Sequence, residues 1–203
     1  MSRTIRLPML PVLLAVTGIA AAGFAGAADE VQARDGETLY TELGCVYCHG
    51  PAGREPALDE YPKLAGQTEA YLVQQSKDIR DRARDNGYTG MMQPAVVNVT
   101  DAELAAVARY LAGQPYAGGT PKGAGAKAYA QNACGSCHGP TGAEPIVPTY
   151  PKIAGQNRTY LINQMHDIKS GDRDNGASVA MRGVVANMGD ETIVAIAEYL
   201  RGQ

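Results

Sequence analysis

The chain has 203 residues and a formal net charge of −3 from 18 Lys+Arg against 21 Asp+Glu, with no Trp, one Phe, three His and four Cys. That length suits one compact domain or two small ones, and without a basic excess to neutralise phosphates the composition argues against nucleic-acid binding. The cysteines fall as two pairs, Cys45/Cys48 and Cys134/Cys137, each followed at once by a histidine, His49 or His138, a linkage that a disulfide framework does not require.

In chain order, residues 1–28 read as a secretory signal peptide. Arg3 and Arg6 precede an apolar run from Leu7 to about Phe24, and Ala25-Gly26-Ala27 offers the small residues that a signal peptidase accepts. The run is roughly long enough to anchor the chain if it is kept, but Pro8, Pro11 and its glycines count against a permanent span. No cysteine stands near the cleavage region for lipidation. Cleavage predicts an exported, soluble protein, with 16 basic residues left against 21 acidic.

The rest of the chain repeats itself. Residues 36–114 overlay 125–203 without gaps at a shift of 89, and 35 of the 79 pairs are identical, which marks a duplicated unit of about 80 residues. The expected domains are therefore 29–114 and 125–203, joined by a Gly/Pro-rich surface linker over 115–124. In the first unit the pattern predicts a short helix over Gly36–Leu43, a longer one over Thr68–Arg80 and a last one over Ala102–Ala112. In that last helix Leu104, Val107, Ala108 and Leu111 recur at helical steps, Thr100 or Asp101 can cap, and Gly113 ends the run. The second unit repeats these over Gly125–Asn132, Asn157–Lys169 and Asp190–Arg201. Nothing alternates like a strand, so the expected class is all-α, with Gly- and Pro-rich loops between helices. Each unit is also short of apolar bulk for its size, which a buried large cofactor would supply.

Cys-x-x-Cys-His in an exported chain reads as c-type haem attachment. Two thiols add across the vinyl groups, one turn of helix brings both sulfurs to the porphyrin edge, and the adjacent imidazole becomes the proximal iron ligand. Two copies in register make the signal strong, so two covalently bound haem c groups are expected, at Cys45, Cys48 and His49 and at Cys134, Cys137 and His138. The competing readings are a four-cysteine zinc site and two redox disulfides, the latter normally on a βαβ framework that is absent here. For the sixth iron position the repeat selects among the methionines outside the signal: only Met92 and Met181 pair with each other, each 43 residues after its histidine. Methionine filling a core gap is the alternative reading. His166, whose counterpart is Lys77, is expected to be an exposed or packing residue. Methionine ligation closes the iron to outside ligands and suits electron transfer.

Together, Cys-x-x-Cys-His-Gly-Pro-x-Gly, the run Tyr-Pro-Lys-Leu/Ile-Ala-Gly-Gln at 61–67 and 150–156, the downstream methionine and the final Ala-x-Tyr-Leu helix resemble dihaem cytochromes c of the c4 type over nearly all of the chain after the signal. The resemblance implies two class I cytochrome c domains with His/Met haem, packed about a pseudo-twofold axis and carrying electrons in the periplasm. Expected partners are a membrane-bound oxidase or a periplasmic dehydrogenase, with peripheral membrane association as an option. It further implies that the Pro62 and Pro151 carbonyls accept from the proximal imidazoles. Tyr40 with Tyr110 and Tyr129 with Tyr199 are expected where the terminal helices cross near Gly36 and Gly125. Arg84, Asn86, Arg173 and Asn175 are expected either at haem propionates or in a solvated Asn-Gly loop.

The halves differ in charge. Residues 29–114 carry 14 acids and 8 bases, residues 115–203 carry 7 and 8, so a bipolar carrier that meets partners of opposite charge is one reading and surface drift the other. A standalone electron carrier fits best; a subunit of a larger dehydrogenase is the alternative. A dihaem enzyme ranks third, because no catalytic base or nucleophile stands out and a thiosulfate dehydrogenase with a Cys ligand needs a fifth cysteine.

Overall fold

The computed structural model describes residues 35–116 and 125–201, with the isolated positions 1 and 123. The expected signal peptide (1–28) lies outside the described residues, except for Met1, as does most of the expected linker. The first half runs α1 (Gly36–Glu42), α2 (Cys45–His49), a 3₁₀ turn (Pro51–Gly53), α3 (Glu69–Arg80), α4 (Thr89–Val96) and α5 (Asp101–Ala112). The second half runs α6 (Gly125–Gln131), α7 (Gly135–His138), α8 (Arg158–Ser170), α9 (Ser178–Val185) and α10 (Asp190–Arg201). Among the described residues there is no strand, as the sequence pattern predicts, and no helix is long and apolar enough to cross a membrane.

The helix starts have local causes. Asp35 Oδ1 accepts from Thr38 N at 2.8 Å, so the first turn of α1 has a capped donor and the Asp35 carboxyl is held below its usual range. Thr100 and Glu103 form a capping box on α5, with Glu103 N donating to Thr100 Oγ1 at 3.3 Å and Thr100 N to Glu103 Oε2 at 3.0 Å. Gly113 ends α5 with an ordinary φ of −75°, so this stop does not use the left-handed freedom of glycine.

The first and last helices of each half cross where only glycine fits. A Cβ on Gly36 would lie 2.6 Å from Tyr110 Cβ, and one on Gly125 would lie 2.6 Å from Tyr199 Cβ. The expected tyrosine pairs sit beside these crossings, with ring centroids 5.8 Å apart for Tyr40/Tyr110 and 5.4 Å for Tyr129/Tyr199. The hydroxyls of Tyr40 and Tyr129 each donate at 2.7 Å to a carbonyl just past the Cys-x-x-Cys-His segment, Gly50 or Gly139. These bonds tie the terminal-helix crossing to the segment that bears the histidine.

The halves pack on each other with approximate twofold regularity, because most bonds across the interface have a counterpart 89 residues on. Lys63 Nζ donates to Gly155 O at 2.8 Å and Lys152 Nζ to Gly66 O at 2.7 Å. Deeper in, Arg84 donates to Gln75 Oε1 at 2.9 Å and Gln164 Oε1 at 2.7 Å, and Arg173 to Gln164 Oε1 at 2.9 Å and Gln75 Oε1 at 3.0 Å. Asn86 reaches Asp167 Oδ2 at 2.5 Å and Asn175 reaches Asp78 Oδ2 at 2.6 Å. Tyr116, at the end of the first described stretch, donates to Ala154 O and lies under Lys152 Nζ, 4.8 Å from the ring centroid.

Candidate haem-binding sites

Each site begins as one turn of helix. The α2 turn holds Cys45, Cys48 and His49 between Gly44 and Gly50, both at positive φ; in the second half Cys134 stands at the N-cap of α7, which carries Cys137 and His138. All four cysteines are free of disulfides. Burial pushes the Cys45 thiol up and the Cys134 thiol up to about 11. A redox dithiol stabilises a thiolate, and burial works against that at Cys45 and Cys134. Among the described residues no three His, Cys, Asp or Glu side chains converge as a metal-binding group, so the zinc alternative has no ligand set.

The imidazoles are buried, at 7% exposure for His49 and 8% for His138. Nδ1 of His49 lies 3.0 Å from Pro62 O, and Nδ1 of His138 lies 2.9 Å from Pro151 O, as the family resemblance implies. A carbonyl oxygen can only accept, so each Nδ1 carries the hydrogen. Burial also lowers both histidine pKa values, against the opposing pull of the proline carbonyls, and favours the neutral ring. The free lone pair is therefore on Nε2, the arrangement an iron-ligating imidazole requires. Tyr61 and Tyr150 flank the rings at 6.4 and 6.5 Å between centroids.

A cavity of about 770 Å³ runs along the inner faces of both halves and is lined by both cysteine pairs, both histidines, Met92 and Met181. Its other walls are mainly apolar, among them Leu72, Ile79, Leu104, Leu161, Ile168 and Val185. Oriented imidazoles, thiols at the edge and an apolar enclosure of this size fit haem c. Met92 lies on α4 and Met181 on α9, both half-buried against core clusters. The sequence reading leaves these stretches as loops: Gly90, Pro94 and Gly183 are poor helix residues, and it is the packing of Val96 and Val185 into the cores that holds the helices. His166 is half-buried and does not line the cavity.

Arg84, Asn86, Arg173 and Asn175 depart from the solvated-loop expectation. They are 4–8% exposed, line the cavity and cross the interface. The sequence reading misses their partners Gln75, Asp78, Gln164 and Asp167. The available signal is that Tyr71, Gln75 and Asp78 recur identically as Tyr160, Gln164 and Asp167, four and three residues apart on one helix face.

A family model described as cytochrome c matches this chain twice, over residues 33–114 and 123–203. Cytochrome c4 of Azotobacter vinelandii is 33% identical over 95% of this chain and 97% of its own length. A protein of Stutzerimonas stutzeri named thiosulfate dehydrogenase electron acceptor is 31% identical over 84% of this chain and 87% of its own. Reduced recombinant cytochrome c4 from Pseudomonas stutzeri superposes with a TM-score of 0.68 at 30% identity, covering 83% of this chain and 98% of that one. With two such helical units on a cavity lined by both Cys-x-x-Cys-His segments, the chain belongs to the cytochrome c family, as a dihaem c-type cytochrome that carries electrons between redox partners.

Proposed function

We propose that Cys45 and Cys48 hold one haem c through thioether bonds with His49 and Met92 as axial ligands, and that Cys134, Cys137, His138 and Met181 hold the other. The observation that carries this reading is the pair of histidines with Nδ1 engaged by a proline carbonyl in register, 3.0 and 2.9 Å, facing a cavity that Met92 and Met181 also line. Bound there, each haem supplies a one-electron ferric/ferrous couple. The protein's own part is to keep the imidazoles neutral and oriented, to offer a thioether that blocks outside ligands, and to exclude water with an apolar wall.

The wider setting is the periplasm. Residues 1–28 act as signal peptide, 29–114 and 125–203 as the two haem domains and 115–124 as the linker, and the partners are a membrane-bound oxidase or a periplasmic dehydrogenase. The relative named as a thiosulfate dehydrogenase electron acceptor supports the dehydrogenase arm, with this chain as a partner or subunit rather than as the enzyme. The charge contrast assigns the acidic first half to a basic partner surface and the second half to the other partner.

Spectra test the ligand set. The oxidised wild type should show a thioether-to-iron charge-transfer band in the far red, Met92→Ala and Met181→Ala should each remove part of it, and the double variant all of it. A band intact in the double variant overturns the methionine assignment. For the partners, exchange rates with a membrane oxidase should lose salt dependence when acidic residues of the first half are neutralised; an unchanged salt dependence rules out the bipolar reading.

A further inference from the structure

The peptide unit joining Pro62 to Lys63 is held from two sides. Its oxygen accepts from His49 Nδ1, and its N–H donates at 2.8 Å to Oε1 of Gln156, a residue of the other half. The peptide joining Pro151 to Lys152 does the same: its oxygen accepts from His138 Nδ1, and its N–H donates at 2.8 Å to Gln67 Oε1. Each glutamine also returns a bond, from Gln156 Nε2 to Lys63 O at 3.0 Å and from Gln67 Nε2 to Lys152 O at 2.9 Å. Both side chains are buried, 5% exposed for Gln67 and 8% for Gln156. A local bond fixes each oxygen further, from Thr68 N at 3.0 Å and Asn157 N at 2.9 Å.

From this geometry we infer that Gln156 is a positioning residue for the proximal histidine of the first half, and Gln67 for that of the second, so that each half sets part of the other's redox potential. The inference rests on the proposed ligation by His49 and His138. Its physical basis is polarisation along a hydrogen-bonded chain. An amide whose N–H is engaged carries more negative charge on its oxygen and is a stronger acceptor. A stronger pull on Nδ1–H gives the imidazole more imidazolate character, which raises its basicity as a ligand and favours ferric iron. The path from one half to the other half's imidazole is thus one side-chain amide and one peptide group, and it exists only while the halves are docked. The bonds from Lys63 Nζ and Lys152 Nζ to the carbonyls next to the two glutamines hold that register.

The test uses the full-length, haem-loaded protein with Gln156→Leu, Gln156→Glu and Gln67→Leu, each haem followed separately by nuclear magnetic resonance during reductive titration. Gln156→Leu removes the acceptor, so the first-half haem should become easier to reduce by about twofold in its equilibrium, about 18 mV at 59 mV per tenfold for one electron. The second-half haem should move less, and Gln67→Leu should reverse the assignment. Gln156→Glu keeps an acceptor for Lys63 N and should shift the first-half haem in the opposite sense, whereas simple loosening of the interface would move both variants the same way. In the oxidised wild type the Nδ1–H resonances of His49 and His138 should be displaced by the iron. If they are not, the ligand assignment fails, and this inference with it. If they are displaced but each Leu variant shifts its own half's haem, both haems equally or neither, the link across the interface is overturned while the ligand assignment stands.

Discussion

The two halves place the same sites on the same helices, yet they are not equally well packed or equally dressed. In the second half the described core is one cluster of eleven buried residues, from Tyr129 and Leu161 through Met165 and Met188 to Leu200. In the first half the buried residues separate into two groups, one around Tyr40, Leu72, Ala108 and Leu111 and one around Ile79, Val96, Val99 and Leu104. The substitutions that join the second core are visible in the register, with Met165 for Ser76, Met188 for Val99 and Ile196 for Val107. Longer, flexible side chains bridge what the first half leaves apart. The surfaces differ as well. The exposed apolar residues of the first half include Tyr47, Tyr88 and Met91, with Tyr61 and Tyr88 edge to face at 5.9 Å, while the second half shows Ile146, Val147, Val179 and Val184. Duplication has thus kept the chemistry fixed and let core cohesion and outer face diverge.

The sharpest way to break this contrast is to give the second half the first half's residue. Met165→Ser should leave a cavity with a hydroxyl in it and cost about 3 kcal/mol, within the usual range for truncating a buried methionine. Urea unfolding of the haem-loaded protein, followed at each haem, should then show the second half melting no later than the first; unchanged order would show that Met165 does not join the core. The reverse change, Ser76→Met, should move stability far less, since half-buried Ser76 lines the cavity and a longer side chain there is not forced into a close-packed core.

Where the halves agree, the expectation is equality. Arg84→Ala and Arg173→Ala each take guanidinium donors from the same two glutamine oxygens, and each should cost about 2 kcal/mol, as hydrogen bonds to charged groups do. Because the arginines share Gln75 and Gln164, the double variant should cost less than the sum. Calorimetry of the three variants checks this, and single effects more than about 1 kcal/mol apart would show that the twofold pattern of bonds is not a twofold pattern of energies.

Much of this was legible beforehand, and the boundary between what was and was not is physical. A helix with a strong period and a cap, such as α5, announces itself locally, and Cys-x-x-Cys-His carries its chemistry in adjacent residues. The α4 and α9 helices do not, because their stability comes from Val96 and Val185 packing against distant segments. The interface was hidden for the same reason: Arg84 and Asn86 look like a polar loop until Gln164 and Asp167 arrive from 80 or so residues away. Identity between the two copies located these residues without revealing that they face each other.

The smallest expected effect concerns a place where the interface departs from twofold symmetry. Thr159 N in the first turn of α8 donates to Asp59 Oδ2 at 2.9 Å, and Tyr160 N donates to Asp59 O at 3.1 Å, so a residue of the first half caps a helix of the second. Asn157, the N-cap residue of α8, makes no side-chain capping bond of its own. The counterpart of Asp59 is Pro148, which has no carboxylate to offer and instead accepts through its carbonyl from Thr68 Oγ1 at 2.5 Å. Asp59→Ala should therefore cost about 1 kcal/mol, the usual worth of a cap, and Pro148→Ala should cost little. The side-chain bond to Thr159 holds the Asp59 carboxyl below its usual value in the folded protein. A lowered folded pKa means that the stabilisation is fully present above the unfolded aspartate value of about 3.9 and is lost as pH falls through the folded value. The gap in unfolding free energy between wild type and Asp59→Ala should accordingly be constant from pH 7 to about 5 and close below about 4. No gap at any pH would show that the backbone carbonyl, which Asp59→Ala leaves in place, does the capping without the carboxylate.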